Sequence, residues 1–218
     1  MSGKRPIIPA LRFHWLTSLY DPVVRLTTRE ATFKDSLLRE SELRPGEAVL
    51  DVGCGTGTLA IAAFAHEPGA SVTGLDADDR ILTIARRKAE QAGVEIRFEH
   101  APADQMPFAD AQFDVVLSSL FFHHLDNGTK RATFREIERV LKPGGRLHVA
   151  DWGAPQNLLM RVAFQSIRLF DGYATTADSA AGRLPRLMTE AGFLAVEKSR
   201  DFATVFGTMA LYHARKAP

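Results

Sequence analysis

The stretch Val49-Leu50-Asp51-Val52-Gly53-Cys54-Gly55-Thr56-Gly57 constrains this chain more than any other. A short apolar run that reads as a buried strand passes into three glycines at alternate positions. It then enters Thr58-Leu59-Ala60-Ile61-Ala62-Ala63, which reads as a helix. Glycine admits positive φ and brings bare main chain against a ligand with no Cβ in between. Strand, glycine turn and helix in immediate succession open a parallel α/β sheet whose ligand sits at the turn.

The pattern continues along the chain. Ala48–Val52 reads as the first strand and Ser71–Leu75 as the second, followed by a helix over Asp78–Ala92. Val94–Glu99 and Phe113–Ser119 read as the third and fourth strands. Thr129–Leu141 carries Phe134, Ile137 and Leu141 on one helical face, and Lys142-Pro143-Gly144-Gly145 is expected to stop it. Arg146–Asp151 reads as a fifth strand, and Asn157–Phe170 and Ser179–Ala191 as helices. Leu194–Ala203 and Met209–Lys216 are joined by a link too short for a parallel crossover, so they must pair antiparallel. The expected fold is α/β: a Rossmann-like three-layer sandwich around a mostly parallel seven-stranded sheet with an antiparallel C-terminal strand. Residues 1–46 read as an N-terminal helical lid, including a helix over Arg29–Glu42, and 47–218 as the ligand-binding domain.

Composition narrows the partners. Lys and Arg total 27 against 26 acidic residues, a net charge of +1, which gives no long-range pull towards nucleic acid or anionic lipid. Cys54 is the single cysteine, so no intramolecular disulfide forms. Pro9, Arg12 and His14 interrupt any apolar run near the start, so neither a leader nor stable membrane insertion is expected. A cytoplasmic protein, monomer or homodimer, acting on a small molecule and not on nucleic acid, fits these features.

The spacing of the glycine loop, G-x-G-x-G, differs from the G-x-G-x-x-G that cradles a pyrophosphate; Thr58 stands where a third dinucleotide glycine would be. Asp51 would repel a phosphate and would accept from an ammonium group. Asp76, at the end of the second strand, can accept both hydroxyls of a ribose. Its competing role, capping the next helix, is open to Asp78. The chain resembles the class I SAM-dependent methyltransferases, in particular the ubiquinone/menaquinone C-methyltransferase-like group. The residues that carry the likeness are Asp51–Gly57, Asp76, Asp104-Gln105-Met106-Pro107-Phe108, Phe113-Asp114-Val115-Val116 and Leu141-Lys142-Pro143-Gly144-Gly145. The resemblance implies S-adenosyl-L-methionine (SAM) as cofactor, with S-adenosyl-L-homocysteine (SAH) as product. It implies contacts from Asp51, Gly53, Cys54, Gly55, Gly57, Asp76, Ala77, Ala103, Asp104, Gln105 and Ser118. Relatives often carry an acid where this chain has Pro102, which shifts the adenine-side carboxylate to Asp104.

In such a fold the acceptor lies beyond the carboxyl ends of the fourth and fifth strands. His123 and His124 follow the fourth strand and are the candidate bases, because histidine exchanges protons near neutral pH. Their ordinary alternatives are a helix cap and a solvated face. Trp152 is a candidate pocket wall or a packing residue. Phe13, His14, Trp15 and Tyr20-Asp21 are candidates for the lid, and Tyr20 resembles the tyrosine that relatives place near the sulfonium. The apolar face of Asn157–Phe170 lines a pocket or docks on the sheet. No spaced set of ligands suggests a metal. The resemblance implies methyl transfer to a small molecule, including a hydrophobic, quinone-like or lipid-like one. The competing readings are an NAD(P)-dependent oxidoreductase and a SAM-binding subunit without turnover.

Overall fold

The structure is a computed structural model and describes residues 30–154, 182–205 and 207–218. The helix expected over 157–170 and the lid residues Phe13, His14, Trp15, Tyr20 and Asp21 lie outside the described residues. The strands are β1 (Ala48–Val52), β2 (Ser71–Asp76), β3 (Arg97–His100), β4 (Phe113–Ser119), β5 (Leu141–Trp152), β6 (Leu194–Thr204) and β7 (Gly207–Arg215). They form one sheet in the order β3-β2-β1-β4-β5-β7-β6. β1, β2, β3, β4 and β5 run parallel, whereas β7 is antiparallel to both β5 and β6. The expected α/β sandwich with an antiparallel C-terminal strand is therefore the observed one.

Helices cover both faces. On one side lie α1 (Glu30–Ser41) and α2 (Thr58–His66), with α3 (Asp79–Ala92) leaning on β2, β3 and α2. On the other lie α4 (Asn127–Val140) and α5 (Leu184–Glu190). Strand alternation divides the core between them. Val49, Val115 and Leu117 point towards α1 and α2, packing with Phe33, Leu37, Leu59 and Trp152. Leu50, Val52 and Val116 point the other way, towards Phe134, Ile137 and Leu187. Phe122, after β4, stacks on Phe134 of α4 with ring centroids 4.4 Å apart, fixing the segment that carries the histidines.

Within the stretch grouped as a lid, α1 belongs to the sandwich. Its buried face, Phe33, Leu37 and Leu38, is spaced as one helical stripe and is part of the core. Arg146 of β5 holds the end of this helix, donating to the carbonyls of Ser41 and Glu42 and forming an ion pair of 2.8 Å with Glu47. Those carbonyls lack helical partners, so a guanidinium fork is well suited to them.

Two boundaries differ from the sequence expectation. α4 ends at Val140, before Lys142-Pro143-Gly144-Gly145, and that segment is the start of β5 and not the helix stop. It makes a bulge: the β4–β5 register shifts between Phe113 and Val115, and Gly144 takes a φ of +73°. β3 begins at Arg97, three residues later than expected, because Gly93 ends α3 and the chain needs Val94–Ile96 to reach the sheet edge. Among the described residues no helix is long and apolar enough to cross a membrane.

Candidate active site

The carboxyl ends of β2, β1, β4 and β5 lie side by side, and three of these strands carry an aspartate at the last position or the one before it: Asp76, Asp51 and Asp151. The glycine loop wraps over the first two. Gly53 and Cys54 both donate to the carbonyl of Leu75, which ties the loop to β2 at 2.8 and 3.0 Å. Gly53, Gly55 and Gly57 all have positive φ, +69°, +53° and +77°. The reasons for glycine differ. A Cβ at Gly57 would press on Ala85 and Phe98 of the packed α3–β3 layer, at 3.1 and 3.2 Å. A Cβ at Gly55 would meet nothing within 4 Å, so that glycine alone presents bare main chain to open space. Cys54 is buried with its sulfur beside Gly74, and burial pushes its thiol pKa up, so it acts as a packing residue and not a nucleophile.

Asp76 accepts from the Gly55 amide at 2.9 Å and the Asp78 amide at 3.0 Å. Asp78 caps α3, accepting from Arg80, so Asp76 is not needed as a cap. Burial raises the Asp76 pKa, opposed by the backbone donors. The loop 101–107 is held next to this acid, since the Ala101 amide donates to the Asp76 carbonyl and the Gln105 amide to Pro102. Glu136 and Arg139 of α4 secure its far end: Glu136 accepts from the Met106 amide at 2.8 Å, and Arg139 donates to the Met106 and Phe108 carbonyls. This clamp was not legible in the sequence. Ala103 and Asp104 are half-buried, and Gln105 is exposed. Ala77 is half-buried, its carbonyl 3.0 Å from His100 Nε2.

Asp51 is the unusual group. It is 1% exposed, and neither carboxylate oxygen has a hydrogen-bond partner. Burial pushes its pKa up to about 7, partly offset by the charge of Lys34, which is itself paired with Glu30 on α1. A buried carboxylate without partners is costly unless a ligand completes it. An orphaned anion beside the open main chain of Gly55 fits a cationic ligand and is a poor match for a pyrophosphate. Ser118 is spent elsewhere: it is buried, and its hydroxyl donates to the Val52 carbonyl at 2.9 Å, stapling β4 to β1.

Beyond β4 the chain turns through Leu120 and Phe121 into a short 3-10 segment, Phe122–His124. His123 is 3% exposed, and its Nδ1 lies 2.8 Å from Asp151 Oδ1. The same carboxylate accepts from the His123 amide at 3.3 Å and the Trp152 amide at 2.7 Å. Burial alone would raise the Asp151 pKa, but His123 and these donors hold it below the usual carboxylate range. An ionised Asp151 assigns Nδ1 as the donor, which makes Nε2 the basic nitrogen of the neutral ring. Trp152 is 3% exposed and stands edge-on to His123, ring centroids 6.3 Å apart, so it is a core residue that also walls the imidazole. The His124 ring lies 3.9 Å from that of His123, and burial followed by the charge of His123 pushes its pKa down to about 3. The cap of the next helix is made by Asp126, which accepts from Thr129, and by neither histidine. Asp151 was read only as a strand end, although it carries the same signal as Asp51 and Asp76: a lone acid closing an apolar strand. Tyr20 lies outside the described residues.

Residues 49–145 match the family model described as a methyltransferase domain. The chain is 40% identical over 139 residues to the demethylmenaquinone methyltransferase of Thermus thermophilus, a match spanning 62% of each protein. It is 32% identical over 169 residues to a ubiquinone/menaquinone biosynthesis C-methyltransferase from a Shewanella species, spanning 75% of this chain and 66% of the relative. The chain thus spans a little under two thirds of the length of these curated relatives. Among solved structures, the YcgJ protein of Bacillus subtilis superposes with a TM-score of 0.70 at 21% identity, covering 85% of this chain and 98% of that one, which shows the shared fold. With its sheet order and its glycine loop between Asp51 and Asp76, the chain carries a methyltransferase domain of the class I, Rossmann-like fold and is similar to the ubiquinone/menaquinone C-methyltransferases.

Proposed function

We propose that this chain transfers a methyl group from SAM to a hydroxylated small molecule, a quinol-like ring being the acceptor class favoured by its relatives' names. The observation that carries the reading is the buried His123–Asp151 pair, held at the ends of β4 and β5 next to the glycine loop. SAM supplies a methyl carbon already activated by a sulfonium. Asp76 would accept the ribose hydroxyls, Asp51 would receive the cationic amino end, and the clamped 101–107 loop would flank the adenine. The acceptor hydroxyl gives its proton to His123 Nε2 while Asp151 stabilises the imidazolium that results. The electron pair so released either attacks the methyl directly from oxygen or raises the nucleophilicity of the ring carbon beside it. In both cases the carbon–sulfur bond would break as the new bond forms, leaving SAH; after attack from carbon, that carbon would lose its hydrogen as a proton and the oxygen would regain one from the imidazolium. Trp152 and Phe122 keep the pair dry, which strengthens the charge interaction. The balanced charge and single cysteine support action in the cytoplasm, on a small molecule and not on nucleic acid.

The test is incubation with methyl-labelled SAM and a panel of quinols, catechols and hydroxylated aromatics, with product mass as readout. Transfer to a hydroxylated ring supports the reading. SAM binding with no transfer to any acceptor favours a subunit without turnover, and thermal stabilisation by NAD in place of SAM favours an oxidoreductase. Within the same reading, Asp104→Ala weakens SAM binding about fivefold to tenfold in calorimetry, the worth of one hydrogen bond to a charged group. Unchanged affinity removes Asp104 from the site.

A further inference from the structure

The first glycine of the loop is explained by a protein side chain and not by a ligand. A Cβ at Gly53 would lie 2.8 Å from the Cβ of Phe121 and closer still to its ring carbons, so the Phe121 side chain rests directly on the Gly53 main chain. The chain accepts backbone strain to put it there. Leu120 has a φ of +54°, a left-handed conformation that side chains of its kind rarely adopt, and its amide is anchored to the Ala150 carbonyl at 2.9 Å. On the far side Phe122 is fully buried, and Phe121 meets it edge-on at a centroid distance of 5.4 Å. Phe121 itself is half-buried, and its side chain lies against the glycine loop at Gly53.

Its position along the sheet edge gives this ring a purpose. The order β2-β1-β4-β5 sets out, in sequence, Asp76, then Asp51 with Gly53, then Phe121, then His123 with Asp151. A SAM molecule with its ribose at Asp76 has to point its methyl towards His123. Its sulfonium would then lie between the two, near the junction of β1 and β4 where Phe121 rests on Gly53. An aromatic face attracts a cation through its quadrupole, and it has no such attraction for a neutral thioether. We propose that Phe121 forms the aromatic wall of the sulfonium subsite and makes the site favour charged SAM over neutral SAH, which helps the product leave. This inference rests on the methyltransferase reading of the site, and it assigns a specificity-determining role to a residue outside the glycine motif.

The experiment measures Kd for SAM and for SAH by calorimetry on the intact chain and on Phe121→Leu and Phe121→Tyr. In Phe121→Leu the SAM affinity falls about fivefold or more while SAH stays within about twofold, so the preference for SAM collapses. Phe121→Tyr keeps both the ring and the preference. SAH binding in the leucine variant also reports that it is folded. Parallel changes in both constants, or no change in either, overturn the proposal and leave Phe121 a packing residue. If the unaltered chain binds neither compound, the methyltransferase reading fails first; if it binds both, only the role of Phe121 is at stake.

Discussion

Replacing His123 with alanine lowers the rate of methyl transfer by a factor of about 10² to 10⁴, the usual contribution of a positioned base, while SAM affinity changes little. The ring sits beyond β4, on the acceptor side of the glycine loop, and is held through Asp151. Asp151→Asn should come close to the same loss, because an amide in that place no longer stabilises the imidazolium and can present its N–H towards Nδ1, disfavouring the working tautomer. A structural role for the pair predicts an effect blind to the acceptor. A base predicts that the loss shrinks as the acceptor hydroxyl becomes more acidic, since a pre-ionised oxygen does not need one. Single-turnover rates across a series of substituted phenols or quinols separate the two. His124→Gln provides the contrast: its pKa of about 3 keeps it neutral throughout the working range, and its substitution should cost less than tenfold. Equal losses at both histidines would argue against His123 as the base.

The second large effect concerns Asp51, where stability and binding should move in opposite directions. The folded pKa of about 7 lies above the ordinary carboxylate value of 3.8, so between these the folded state holds a proton that the unfolded chain releases. Apo stability therefore falls as pH rises from about 4 to about 7 and levels off above that. The cost at the upper end is on the order of 4 kcal/mol at most. Asp51→Asn removes this penalty, because a neutral amide need not be forced to ionise in a buried site. The variant should melt higher than the unaltered protein at pH 8 and show little difference at pH 4.5, measured by thermal unfolding without ligand. SAM binding should weaken about tenfold to a hundredfold in the same variant, since the cationic amino end loses a charge-assisted acceptor. In the unaltered chain, SAM affinity should rise between pH 5.5 and pH 8, and binding near pH 6.5 should release protons detectable by calorimetry in buffers of different ionisation enthalpy. The neighbouring charges are Lys34 and Asp76, with Glu30 held by Lys34. A flat affinity profile across that range would show that the bound ligand does not meet the Asp51 charge.

These two groups were unequally visible beforehand. Asp51 stands in a local motif: strand, acid and glycines adjoin, and the glycine spacing together with the acid departs from the pattern of a pyrophosphate cradle. His123 was visible as a residue type in the right loop, but nothing local separated it from His124. The separation comes from Asp151, 28 residues further on, which lies 2.8 Å from Nδ1 of the His123 ring. In the same way Ser118 looked available to a ligand, and only the neighbouring strand shows its hydroxyl engaged by Val52. Gly53 and Gly55 look alike as letters, yet one is covered by Phe121 and the other faces open space.

By itself the sequence determined the strand order, the glycine loop, the acids Asp51 and Asp76 that flank it, and the antiparallel return of the last strand. All of these rest on short-range causes: hydrophobic period, the positive φ of glycine, and a link too short for a crossover. Only the tertiary structure decided which histidine is oriented by Asp151, why Asp51 lacks a partner, how Glu136 and Arg139 hold the 101–107 loop, and that Phe121 lies on Gly53. Those are contacts between residues distant in the chain, set by how β1, β4, β5 and α4 pack, and no local pattern encodes a meeting of that kind.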